Sequence, residues 1–394
     1  MKVLFQSRVD LFSRRGGDTI QIEKTAEELK KLGAEVEIDC SANPNLSRYD
    51  LVHLFNIDWP AQVYLQAKNA KKQGKPIIFS PIHHSFREIE RYEREARYGL
   101  RRLTNFIFRT RESREKFKDF CRMIADPRKF SSTLVEFRKG VKNEQRELLK
   151  MADLVLVQTE AEAQDLEVDF SCSGASVKSQ TLDRAVVTAN SGFQWRRVVN
   201  GVDLQFAEAT SDWFVRKYNL KDFILCVGRV EPRKNQLAVI KAVLNARCQM
   251  EDVKLLSVGK ISWRHPEYAL RFKRLVRRHP WVYHIPQIPY EKMASCYKAA
   301  RVHVSASWFE TTGLVNLEAA LAGVNVVATG VRAREYLSDF AEYADPGDVD
   351  SIVKAILRAR KKTCDSNFRK HILGNFPWEK AAKQTLKAYK AVLG

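Results

Sequence analysis

The strongest constraint on this chain is an alternation, run through twice, between short apolar strands and longer helical stretches. In the first half the strands are Val3-Leu-Phe, Glu35-Val-Glu-Ile, Asp50-Leu-Val-His-Leu-Phe, Lys75-Pro-Ile-Ile-Phe-Ser and Ala152-Asp-Leu-Val-Leu-Val-Gln. After Asn200-Gly201-Val202-Asp203 the pattern restarts with Phe223-Ile-Leu-Cys-Val, Val253-Lys-Leu-Leu-Ser-Val-Gly, Val282-Tyr-His-Ile, Val302-His-Val-Ser and Val324-Asn-Val-Val-Ala. Strands separated by helices form parallel sheets covered on both faces, which is why they read as continuous apolar runs. A chain of 394 residues is also too long for one ordinary core. The expectation is an α/β protein of two doubly wound domains, hinged between Asn200 and Lys221.

Between the strands, a glycine pair, Gly16-Gly17, precedes a helix from about Thr19 to Leu32. That helix has Ile22, Ala26 and Leu29 on one face and stops at Gly33. The stretch from Phe86 to Lys150, rich in charged and aromatic residues, predicts helices inserted in the first domain. Asp169 to Gly192 reads as an irregular loop, and the tail from Trp378 as an amphipathic helix.

The net charge of +20 calls for an anionic partner: nucleic acid, an acidic membrane face or a phosphorylated substrate. Seven scattered cysteines without a C-x-x-C pair point to a reducing compartment rather than a disulfide frame or zinc site. The N-terminus is too short in apolar residues for a signal peptide, and no run approaches the ~20 residues of a membrane span. A cytoplasmic location is expected, with peripheral contact at the inner face of an anionic membrane left open.

Two segments carry the chemistry. Glu310 and Glu318 lie in Ser307-Trp-Phe-Glu-Thr-Thr-Gly-Leu-Val-Asn-Leu-Glu-Ala-Ala-Leu-Ala-Gly323, beyond the strand Val302-His-Val-Ser. In an open parallel sheet, ligands bind beyond the carboxyl ends of strands. Gly313 opens a helix, so the amides of Gly313, Leu314 and Val315 are first-turn donors suited to an anion. Glu318, among apolar neighbours, requires a hydrogen-bonding partner, and ribose hydroxyls would serve. The bland alternative has Glu318 in solvent and Glu310 capping the helix. Arg229 and Lys234 follow the strand Phe223-Ile-Leu-Cys-Val at the same sheet edge and are placed to neutralise a diphosphate. A solvated basic loop is the alternative, since Arg233 is also nearby.

Gly16-Gly17 either lets backbone approach a phosphate or makes a plain tight turn. His83 and His84 follow a strand end and suit a sugar hydroxyl or proton transfer, although structural roles fit equally, as for His53. Asp348-Val-Asp350 superficially resembles a metal-binding D-x-D, but an acidic residue before an apolar-periodic run is more often a helix N-cap, so no metal is assigned. The basic run Arg271-Phe-Lys-Arg-Leu-Val-Arg-Arg suits either anionic headgroups or plain solvent.

Taken in order, these motifs resemble the family 4 retaining glycosyltransferases of GT-B fold, nearly end to end. Glu310 and Glu318 match that family's E-x7-E motif, with Gly313-Leu314-Val315 in its Gly-Leu place and Thr312 where Phe is common. Gly228-Arg229 and Lys234 match its G-R-x4-K segment, Gly16-Gly17 its glycine pair, and Asn200-Gly-Val-Asp203 its linker. The resemblance implies two Rossmann-like domains facing each other across a cleft. Residues 1–203 would form the acceptor side, 204–378 the nucleotide-sugar domain, and helix 379–394 would pack back on the first.

It further implies that Arg229 and Lys234 hold the donor diphosphate, aided by Gly17 and the amides at 313–315. Glu318 would bind the ribose, Glu310 the donor sugar, and His83 or His84 would stand near the reacting sugar. The base pocket would lie around Ile285-Pro286-Gln287. The implied activity is transfer, with retention, from a UDP- or GDP-sugar to a glycan or lipid-linked acceptor in surface-polysaccharide synthesis, without a metal or other cofactor. Nucleic-acid binding is the competing class, but no nucleic-acid-binding fingerprint supports it, so none is expected as a partner. A sugar-nucleotide epimerase fits the E-x7-E segment poorly, and a phosphorylase would need a pyridoxal-phosphate lysine site that is not identifiable.

Overall fold

The computed structural model describes residues 1–58, 60–96, 140–170, 192–208, 210–250 and 252–394. The expected loop from Asp169 to Gly192 lies mostly outside them, and Asp169 itself is within the helix Glu160–Phe170. Most of the expected Phe86–Lys150 helices also lie outside them.

The described chain forms two compact units. The first contains β1 (Lys2–Gln6), β2 (Glu35–Ile38), β3 (Leu51–Phe55), β4 (Ile77–Ser80), β5 (Leu154–Val157) and β6 (Trp195–Arg197). All its strand pairs are parallel, in the order β2-β1-β3-β4-β5-β6. The expected first helix spans Gly17–Lys31 and buries Ile22, Ala26 and Leu29 against Val3 and Phe5. It ends where Gly33 takes φ +85°, a conformation glycine adopts without steric cost. The last helix, Trp378–Leu393, belongs to this unit and places Ala382, Ala388 and Tyr389 in the same core.

The second unit contains β7 (Phe223–Val227), β8 (Leu255–Val258), β9 (Val282–Ile285), β10 (Ala300–Val304), β11 (Asn325–Thr329) and β12 (Glu342–Ala344). Its sheet is again wholly parallel, in the order β12-β11-β10-β7-β8-β9. The connections run from β7 outward to β9, then return to β10 on the other side of β7. The topological switch point therefore lies between β7 and β10, where a doubly wound sheet opens a crevice at its carboxyl edge.

One expectation is corrected. The helix Phe86–Glu95, read as an insertion in the first domain, packs with the second unit. Its Arg91 donates to Asp345 at 2.7 Å, and Tyr92 meets Phe309 edge-on with ring centroids 5.5 Å apart. An ion pair and an aromatic contact thus take it away from its neighbours in sequence.

Candidate active site

In the second unit the switch point brings together the two segments that carry the chemistry. β7 and β10 are hydrogen-bonded neighbours, so the loops leaving their carboxyl ends meet. After β7 the chain turns through Gly228 (φ +144°) into a short 3₁₀ turn, Pro232–Lys234, and then into the helix Gln236–Ala246. Gly259, after β8, packs so closely that a Cβ there would lie 2.1 Å from the Gly228 carbonyl oxygen. The corner requires glycine at 259 for this close approach.

Lys234 reaches across this corner and forms an ion pair with Glu310. Arg233 Nη1 lies 3.4 Å from the same carboxylate oxygen and 3.3 Å from the Phe309 carbonyl. Burial raises the Glu310 pKa, but the charges of Lys234 and Arg233 outweigh it and hold the carboxyl at about 2. Glu310 is therefore an ionised group in a partly buried place, not a helix cap. Arg233, which counted against a specific reading of the loop, faces the same carboxylate as Lys234. Arg229 is more exposed, and its nearest carboxylate is Glu231 at 3.8 Å. Three cations (Arg229, Arg233, Lys234) against two carboxylates (Glu231, Glu310) leave the corner with net charge +1.

Glu318 lies on the next helix, Leu314–Leu321, and is 7% exposed. The Tyr297 hydroxyl donates to its Oε2 at 2.8 Å. Burial, with the nearby charge of Asp203 adding to it, pushes its pKa up to about 7 even though the Tyr297 hydrogen bond works the other way. The required polar partner exists, and it is a tyrosine that sequence reading missed because it lies 21 residues away on another helix.

At the start of that helix the expectation needs adjustment. Of the three amides expected to face an anion, Gly313 N–H already donates to the Tyr336 hydroxyl at 3.0 Å. Asn316 Nδ2 approaches the same oxygen at 3.4 Å, and a Cβ at Gly313 would lie 2.7 Å from that nitrogen. Among the described residues no hydrogen bond is formed by the amides of Leu314 or Val315. Two first-turn donors therefore remain for a ligand. Ile285 and Pro286 sit at the end of β9 on the same carboxyl edge, with Ile285 accepting a backbone bond from Gly259 at 3.0 Å.

In the first unit, Gly16 and Gly17 begin the Gly17–Lys31 helix, and a Cβ at Gly17 would meet nothing within 4 Å. Nothing in the packing of this unit demands glycine at 17, which leaves room for a close ligand. The loop before it is ordered by Arg8, a buried residue the sequence did not single out; it binds Asp10 at 2.7 Å and Asp18 at 2.8 Å. His83 follows β4 after Ile82, a β-branched residue held at φ +50°. Its Nε2 binds Asp169 at 2.7 Å and its backbone amide donates to Glu162 at 2.6 Å. His84 is more accessible and binds Asp58 at 2.8 Å. His53 is a core residue: it bonds Tyr389 at 2.6 Å and Ser80 at 2.9 Å, and burial lowers its pKa to about 3. Asp348 caps the helix Val349–Lys361 by accepting from Asp350 N–H.

Residues 221–362 match the family model described as "Glycosyl transferases group 1". The matched segment lies wholly within the second unit. The matched segment contains Arg229, Arg233, Lys234, Glu310 and Glu318. The chain is 31% identical, over 188 residues, to the O-antigen chain mannosyltransferase B of Escherichia coli, covering 45% of this chain and 48% of that protein. The match thus spans about half the length of that relative.

Two solved structures share the whole fold. Sucrose-phosphate synthase from Thermosynechococcus elongatus aligns with TM-score 0.68 at 18% identity, covering 100% of this chain and 99% of that one. Anabaena Alr3699/HepE in complex with UDP-glucose aligns with TM-score 0.69 at 14% identity, covering 99% and 100%. The two parallel sheets are those of the GT-B fold.

Proposed function

We propose that this protein is a retaining glycosyltransferase that moves a sugar from a UDP- or GDP-sugar to a glycan or lipid-linked acceptor in surface-polysaccharide or glycoconjugate synthesis. The observation that carries the reading is the Lys234–Glu310 ion pair across the β7/β10 switch point, with Arg229 and Arg233 beside it and buried Glu318 on the helix that follows. The Escherichia coli relative, named for an O-antigen mannosyltransferase activity, supports the acceptor class, and the Anabaena structure with UDP-glucose supports the donor class.

In this reading Arg229 and Lys234 bind the diphosphate together with the amides of Leu314 and Val315. Gly313 shapes the helix start, and Glu318 accepts from the ribose. Glu310 accepts from hydroxyls of the transferred sugar, and Ile285 and Pro286 border the base. The first unit takes the acceptor, and His83, His84, Gly16 and Gly17 are its proposed ligand-contacting residues. The acceptor hydroxyl attacks the anomeric carbon from the face that the phosphate leaves, and the departing phosphate oxygen takes the hydroxyl proton. No side chain becomes covalently attached. The main catalytic demand is to stabilise the negative charge growing on the diphosphate, and the cationic corner supplies that without a metal. A location at the cytoplasmic face of a membrane, where nucleotide sugars meet lipid-linked acceptors, fits this chemistry.

A thermal-shift screen against UDP-, GDP- and ADP-sugars tests the assignment. One base should raise the melting temperature in a concentration-dependent way, because a ligand bound to the native state stabilises it by mass action. A flat response to all of them, with no release of nucleoside diphosphate on incubation with acceptor lipids or glycans, would overturn it.

A further inference from the structure

The helix Pro266–Arg278 in the second unit has a face that the donor site does not use. At 100° per residue, Leu270, Arg271, Lys273, Arg274, Arg277 and Arg278 fall within an arc of roughly 160°, with Leu270 near its middle. All six are exposed, whereas Tyr268, Ala269 and Phe272 on the opposite side are buried. Between Lys260 and His279 there are seven Lys and Arg against one Glu, so this stretch holds +6 of the chain's +20.

Some cations elsewhere are neutralised, as Arg8 is by Asp10 and Asp18, and Arg358 and Lys362 are by Glu342. Here the one acid, Glu267, pairs with Arg271. Among the described residues Lys273, Arg274, Arg277 and Arg278 form no ion pair. Two large apolar side chains are exposed with them: Trp263 at 56% and Leu270 at 58%. Beside the helix, Leu237, Ala238, Leu275 and Val349 floor a shallow groove, with Lys241 and Arg274 at its rim.

We propose that this face docks the protein on an anionic phospholipid bilayer, with the cations at the headgroup phosphates and Trp263 and Leu270 entering the interface. Basic residues around exposed Trp and Leu are the composition of an interfacial helix, in which charge gives attraction and apolar area gives depth. A polynucleotide fits less well. The Trp263 ring is covered by Lys273 Nζ at 4.8 Å from its centroid, so that face is not open for base stacking, and Leu270 offers nothing to a phosphate backbone. The inference stands apart from the donor site, since it uses none of its residues.

The test is co-sedimentation of the full chain with vesicles of phosphatidylcholine alone or mixed with phosphatidylglycerol, without donor sugar, at about 0.15 M salt. Wild type should pellet with the mixed vesicles only, and its tryptophan emission should shift to the blue, a shift absent in Trp263→Phe. Arg274→Glu/Arg277→Glu should lower the partition coefficient at least tenfold, and Leu270→Ser should lower it while leaving the charge intact. Unchanged melting temperatures would show that these variants are folded. A labelled single-stranded polynucleotide is the second probe. No binding to anionic vesicles, binding unaffected by the charge reversal, or reversal-sensitive binding of the polynucleotide alone would each overturn the proposal.

Discussion

At the scale of single residues, two glutamates eight positions apart have opposite electrostatics. Glu310 is held at about 2 by Lys234 and Arg233 against the effect of its burial, whereas burial raises Glu318 to about 7. The consequences for stability have opposite signs. Glu310, with a depressed pKa, contributes stability that is present above its unfolded value of 4.5 and lost as pH falls toward 2. Glu318, with a raised pKa, contributes most below 4.5, and that contribution is lost as pH rises through 7. Glu318→Gln should therefore be more stable than wild type at pH 8 by up to roughly 3 kcal/mol, and no more stable at pH 4, in urea melts at the two values. Equal differences at both would show that Glu318 does not titrate in this way. Lys234→Ala should lower kcat by about a hundredfold or more, because its amine serves charge stabilisation, and should also lower the melting temperature, because Glu310 loses an ion-pair partner. Near-normal turnover would remove Lys234 from the mechanism.

At the scale of elements, the long buried strands were legible because strands covered on both faces read as unbroken apolar runs. β6 and β12 escaped notice because they are three-residue edge strands, mostly half-buried and containing charged or polar residues. The E-x7-E and G-R-x4-K segments could be placed at one sheet edge because each follows a recognisable strand. The partners that complete the site were not legible: Tyr297 and Tyr336 come from separate helices, and only the three-dimensional crossing brings them to Glu318 and Gly313. Tyr336→Phe should destabilise the second unit by about 1–3 kcal/mol, since the buried Gly313 amide loses its acceptor. It should also weaken nucleotide-sugar binding. Gly259→Ala is the stricter test of the corner, because a Cβ 2.1 Å from a backbone oxygen forces β7 and β8 to shift. That variant should be destabilised by at least about 1–3 kcal/mol in denaturant melts, and a wild-type midpoint would contradict the close approach.

At the scale of the whole molecule, the chain is two sheets of the same design whose carboxyl edges carry different residues. The first edge has histidines held by aspartates, and the second has a cluster of cations around Glu310. The last 17 residues, Trp378–Gly394, belong to the first unit although the 177 residues that directly precede them, Gly201–Pro377, belong to the second. Deleting the Trp378–Leu393 helix should therefore lower the melting of the first unit, whose core loses Ala382, Ala388 and Tyr389, while the second unit keeps its transition. Among the described residues no helix is long and apolar enough to cross a membrane. The central claim is that Arg229, Lys234 and Glu318 bind one nucleotide diphosphate at the switch point of the second sheet. Isothermal titration of the preferred nucleoside diphosphate into wild type and into Arg229→Ala tests it most directly. The account predicts saturable one-to-one binding that the substitution weakens at least tenfold; no heat with any nucleotide, or the same affinity in the variant, would contradict it.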